Sequence, residues 1–89
     1  MKNTPENIRA WSSLYKDGII DGDKVILTTD FPPYLKGTKG LVRIRWDRVL
    51  GCPSRAIVFN IGKSDEIAVC PPPLMKYKKI HAKENSNGR

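Results

Sequence analysis

No apolar run in the chain exceeds four or five residues, so no segment is long enough to cross a bilayer as a helix. Histidine occurs once, at position 81, and cysteine twice, at 52 and 70. Three such residues without a close pair do not make a structural zinc site, and no metal ligand set is expected. There is no nucleophile elbow, no HExxH pair and no Walker loop. Asp65 and Glu66 are adjacent acids in a predicted strand, where successive side chains diverge, so they cannot share acid–base work. The chain is therefore read as non-enzymatic, with no catalytic residue, no cofactor and no small-molecule substrate. The opening "MKNTPENIRAW" has no apolar core of the kind a signal peptide needs, which sets the expectation of a cytoplasmic protein whose thiols are reduced, with no membrane partner.

Acidic residues are the other scarcity. Nine Asp and Glu stand against sixteen Lys and Arg, a net charge of +7 in 89 residues. The excess is uneven: residues 1–30 hold four cations and five acids, residues 31–89 twelve and four. A basic balance of this kind points to a nucleic acid, an acidic protein or an anionic surface as partner. The length sets a bound as well. One small domain of this size buries only ~60% of its unfolded surface, which favours binding with the surface over a deep substrate cleft.

Along the chain, "NTPENIRAWSSLYKDGII" predicts a helix over about 4–17. Thr4 suits the N-cap, Pro5 the first helical position and Glu6 the positive end of the dipole. Ile8, Trp11 and Tyr15 form one stripe with Leu14 beside it, and Gly18 suits a left-handed stop, with Ile19 touching Leu14. After Gly22 the period changes to two. "KVILTTD" (24–30), "GLVRIRWDRV" (40–49), "RAIVFNI" (55–61), "DEIAVC" (65–70) and a short segment near Tyr77 to Ile80 predict five strands, the third of them apolar on both faces and so central. Proline and glycine punctuate the connections, and "PPPLMKY" reads as a stiff turn, lacking the PxxP spacing of a polyproline ligand. The polar residues 82–89 read as a disordered tail after a single domain over 1–81, with its β portion over about 23–80.

This order of elements, with a long first loop, a meander and a proline-led turn before a short last strand, resembles a small SH3-like barrel. The expected fold class is thus mainly β, a five-stranded antiparallel SH3-like barrel with one N-terminal α-helix. "DGDKVIL" followed by "KGTKGLVRI" further resembles the KOW motif of ribosomal and transcription-elongation proteins over residues 21–44. In that motif a Gly-Asp turn opens one strand and a glycine pair leads into the next. Gly37 and Gly40 would supply positive φ or close backbone approach. The outline is also similar to SH3-like accessory subunits of photosynthetic and redox complexes.

The candidate binding residues follow from charge and alternation. In "KGTKGLVRIRWDR", Val42, Ile44 and Trp46 take one face and leave Arg43, Arg45 and Asp47 on the other. Lys36, Lys39, Arg43, Arg45 and Arg48 are the expected phosphate contacts. Phe31 and Tyr34, in a loop beside Lys36 and Lys39, have the composition of stacking groups for unpaired bases, and equally that of side chains closing the end of a barrel. The expected function is a binding module whose basic face engages nucleic-acid backbone, RNA or DNA. The alternative is an adaptor or accessory subunit docking an acidic protein.

Overall fold

The structure is a computed structural model and describes residues 1–80. Its helix, α1, spans Pro5–Ser12, with the Thr4 side chain accepting from the Asn7 amide at 3.1 Å as N-cap and proline in the first turn. It stops well short of residue 17. The hydroxyls of Ser12 and Ser13 donate to the carbonyls of Ile8 (2.8 Å) and Ala10 (2.6 Å), offering the backbone an alternative to further helix. The chain then leaves through tight turns, Leu14 N–H to Trp11 O and Tyr15 N–H to Ser12 O. Gly18 takes its positive φ of 78° in a later turn, not at the helix end. Leu14 is exposed and the expected contact with Ile19 is replaced: Ile19 is buried in the core. The stripe itself packs as expected, with Trp11 buried and Ile8 and Tyr15 half-buried against the core.

Five strands follow: β1 Lys24–Leu27, β2 Lys39–Asp47, β3 Cys52–Phe59, β4 Ile67–Val69 and β5 Tyr77–Lys79. They form one antiparallel sheet in the order β4-β3-β2-β1-β5. The fold is thus mainly β with one short N-terminal helix. The sheet is open: β4 and β5 are its edges, where the expected barrel would close. The central strand is β2, not β3 as the apolar run at 55–61 suggested. Strand β3 is interior all the same, paired on both sides, and its Ile57, Val58 and Phe59 are all buried.

One face of the sheet carries the core. Val25 and Leu27 of β1, Val42 and Ile44 of β2, and Ile57 and Phe59 of β3 are each 2% exposed or less. Trp11, Ile19 and Met75 cover them from outside the sheet. Met75 carries no periodic signal in the sequence; a turn closed by its amide on Pro72 O (2.9 Å) turns it inward. Trp46 continues the core face at half burial, its ring 5.8 Å from that of Trp11. Among the described glycines, Gly40 is the one the core itself requires. A Cβ there would overlap Ile57 Cγ2 and sit 3.2 Å from both Phe59 Cε1 and the Val58 carbonyl.

The Asp21–Gly22–Asp23 turn is fastened to β2 rather than merely preceding it. Gly22 N–H donates to Val42 O and Val42 N–H to Asp23 O, both at 2.8 Å. Asp21 accepts from the Ile44 amide at 2.8 Å. This turn is what gives β1 its register against the centre of the sheet.

Candidate nucleic-acid interface

In an antiparallel pair, directly opposite residues share a face. The pairings Val25↔Gly40, Val42↔Ile57 and Phe59↔Ile67 therefore mark the core side, and Ile26↔Lys39, Ile26↔Lys78, Lys24↔Leu41, Leu41↔Val58 and Arg43↔Ala56 mark the outer side. Reading across the outer side gives one row of Lys78, Ile26 and Lys39, a second of Lys24, Leu41, Val58 and Ala68, and then the pair Arg43 and Ala56. Lys24, Lys39, Arg43 and Lys78 are all exposed. Ile26 and Leu41 are half-buried and Val58 is 5% exposed, lying beneath the longer side chains around it. The same side continues through Arg45 and Ser54 to Asp47 and Cys52, so the one acid that the described strands place on it stands at the far end of β2 from Lys39.

The electrostatics follow from where the carboxylates are engaged. Among the described residues only three ion pairs form: Arg45–Asp21 at 2.7 Å, Arg55–Asp17 at 2.8 Å and Lys79–Asp23 at 3.3 Å. Asp30 accepts from the Lys36 amide, Asp47 from the Val49 and Leu50 amides, Asp65 from the Asn60 side chain and Glu66 from the Gly62 amide. The acids thus hold turns together, and among the described residues Lys24, Lys39, Arg43 and Lys78 of the outer face form no ion pair.

The seven residues expected from the sequence do not form one cluster. Lys39 and Arg43 share the outer face. Lys36 lies in the β1–β2 loop at the Lys39 end, exposed. Arg48 is exposed on the β2–β3 turn, at the opposite end of β2 and about 30 Å along the strand from Lys39. Arg45 is on the outer side but half-buried, its guanidinium committed to Asp21 at 2.7 Å and to the Ile44 carbonyl at 2.9 Å. Phe31 and Tyr34 bond to each other through both backbone pairs at 2.7 Å, around a cis Pro32–Pro33 peptide, and both pack on the core. Tyr34 stacks on Phe59, ring centroids 4.3 Å apart. Both are half-buried, each keeping part of its surface exposed.

Sequence reasoning missed Lys24 and Lys78. Neither lies in the arginine-rich segment, and only strand pairing places them beside Lys39. It also missed Arg55, whose side chain is 13% exposed. Arg55 donates twice to Asp17 (2.9 and 2.8 Å), once to Ile19 O (2.9 Å) and once to the Tyr77 hydroxyl (3.0 Å), with its guanidinium 4.2 Å from the Tyr15 ring centre. The hydrogen bond from Arg55 holds the Asp17 carboxyl below its ordinary range, and burial pushes the Tyr15 hydroxyl up. This arginine joins the segment after α1 to β3 and β5; its work is structural. A sequence signal existed, a lone Arg opening an otherwise apolar run.

Among the described residues no group of three or more His, Cys, Asp or Glu gathers around a metal-sized space, and no helix is long and apolar enough to cross a membrane. Cys52 and Cys70 are both exposed and unbonded to each other. The expected tail over 82–89, and His81, lie outside the described residues. No protein-family model, no curated protein and no solved structure matches the chain.

Proposed function

We propose that this chain is a non-enzymatic binding module, built on the plan of an SH3-like barrel, whose outer sheet face engages nucleic-acid backbone. The barrel reading is supported by the strand order, a meander in which the last strand returns to pair with the first. The KOW resemblance is supported by the way the Asp21–Asp23 turn locks onto β2 and by Gly40 at the close approach of β2 to β3. The observation that carries the functional reading is the outer face: Lys24, Lys39, Arg43 and Lys78, all exposed, none ion-paired among the described residues, with no acid between them. Cations so arranged neutralise phosphates and release condensed counterions, and four contacts to a duplex give a slope of log K against log salt of about −3 to −4.

The test is fluorescence anisotropy with a labelled duplex at stepped salt. Lys39→Gln with Lys78→Gln should weaken binding and flatten the slope by roughly two units. Unchanged affinity in this variant would assign the charge to solubility alone. A second reading, docking of an acidic protein, draws on Ile26 and Leu41, half-buried apolar side chains set among the cations. It gains ground if the face is needed for a partner retained in nuclease-treated lysate and labelled duplex does not bind.

A further inference from the structure

Resting on the nucleic-acid reading, we infer that the outer sheet face recognises the phosphate chain alone and is blind to the bases. Base recognition needs either aromatic faces to stack on or a side chain held so that its donors or acceptors meet a base edge. The strands place no aromatic residue on the outer side, Arg45 there is tied to Asp21, and Arg43, whose fork fits a guanine edge, has no ion pair among the described residues to hold it in one orientation. The two aromatics nearest in sequence are already committed, Tyr34 stacked on Phe59 and Phe31 tied to Tyr34 and packed on the core. Lysine is a compact point charge on a flexible stem and imposes little geometry on what it meets.

The layout also selects a chain of phosphates over a single one. Lys39 and Lys78 flank β1 on either side, two strand spacings or about 10 Å apart at the backbone. Arg43 lies four residues beyond Lys39 on the same strand, about 13 Å along it. Lys39 and Lys78 border one open hollow with Ile26, Tyr77 and Ile80, while Lys24 and Arg43 lie outside it, so the four cations do not converge on one anion. A linear polyanion lying across β1 and β2 meets them in succession. Two sources share this chemistry, a nucleic-acid strand and an inorganic polyphosphate, and both are offered in the test.

The test measures binding of the full chain to three labelled probes of matched charge at 0.1 M salt: a thymidine oligonucleotide, an abasic oligonucleotide of the same length and a linear polyphosphate. The expected result is equal affinity for the first two within about threefold. Lys39→Gln with Lys78→Gln should weaken both by the same factor, roughly 25-fold at 0.1 M salt for two single-strand contacts; a matching urea midpoint shows that the variant is folded. Thymidine binding more than tenfold tighter than the abasic strand would overturn base-blindness while leaving the nucleic-acid reading standing. Polyphosphate binding more than tenfold tighter than both would uphold phosphate-chain recognition and overturn nucleic acid as its source. Failure of all three probes would overturn both.

Discussion

Gly40→Ala adds a single methyl group, and the surroundings of that methyl decide its cost. Alanine in place of glycine restricts the unfolded chain and by that route alone would stabilise by about 0.4–1 kcal/mol. At this position the new Cβ overlaps Ile57 Cγ2 and comes within 3.2 Å of Phe59 Cε1 and of the Val58 carbonyl. Ile57 and Phe59 are both 0% exposed, so neither can swing aside into solvent. Overpacking of this kind costs about 1–3 kcal/mol, which outweighs the unfolded-state gain and leaves a net loss of about 1–2 kcal/mol. With an m-value near 1 kcal/mol/M, the urea midpoint should fall by about 1–2 M at unchanged slope. Ile57→Ala supplies the control. Alone it costs about 2–5 kcal/mol by leaving a cavity, but it removes the clashing methyl, and the methyl added at position 40 then occupies part of the space. Introduced on top of Ile57→Ala, Gly40→Ala should be neutral or stabilising, a clear non-additivity between touching residues. Additive losses in the double variant would refute the overlap as the cause.

Other perturbations separate the pieces of the fold. Trp11→Ala, truncating a 7%-exposed ring that packs beside Trp46, should destabilise by ~3 kcal/mol or more in urea titrations, whereas an unmoved midpoint would make α1 a free arm. Because Arg55 lowers the pKa of Asp17, that pairing stabilises the fold above the ordinary carboxylate range and is lost as pH falls through the depressed value. The midpoint difference between wild type and Asp17→Asn should be open at neutral pH and close on acidification, and a gap independent of pH would count against the linkage. Arg43→Glu should leave stability within about 0.5 kcal/mol, as an exposed position does. Arg45→Glu should cost more, roughly 1 kcal/mol, since it sets a second carboxylate against Asp21, the acceptor for the Ile44 amide.

The elements whose signals are local were legible. Thr4, Pro5 and the Ile8–Trp11–Tyr15 stripe located α1, and the alternation of Val42, Ile44 and Trp46 assigned the faces of β2 correctly. The end of the helix was not legible, because two serines that score as neutral residues turned their hydroxyls back onto the helix carbonyls. Neither was the centre of the sheet. Hydrophobicity on both faces marks a strand with neighbours on both sides, which is true of β3. It does not say which of the three interior strands lies in the middle, and the long β2, pinned by the Asp21–Asp23 turn on one side and β3 on the other, took that place. Met75 entered the core from a proline-rich turn, where no period exists to announce it.

The basic outer face was legible only as far as it lies on one strand. Alternation says that Arg43 and Arg45 point away from Trp46, and so they do, yet it cannot say what stands opposite them. Asp21 is more than twenty residues away in sequence and reaches Arg45 because the turn it belongs to is hydrogen-bonded to β2. A still longer stretch of sequence separates Lys78 from the arginines, and it joins them through β5 pairing with β1. A charge two residues along a strand is therefore no closer to being a site-mate than one delivered by a neighbouring strand. What distinguishes Arg43 from Arg45 is the partner the topology supplies: none among the described residues for the first, a carboxylate for the second. Counting cations in a segment overstates the charge that segment can offer a ligand. The usable charge is the part the fold has not already committed to its own turns, and here that part sits on β1, β2 and β5 together.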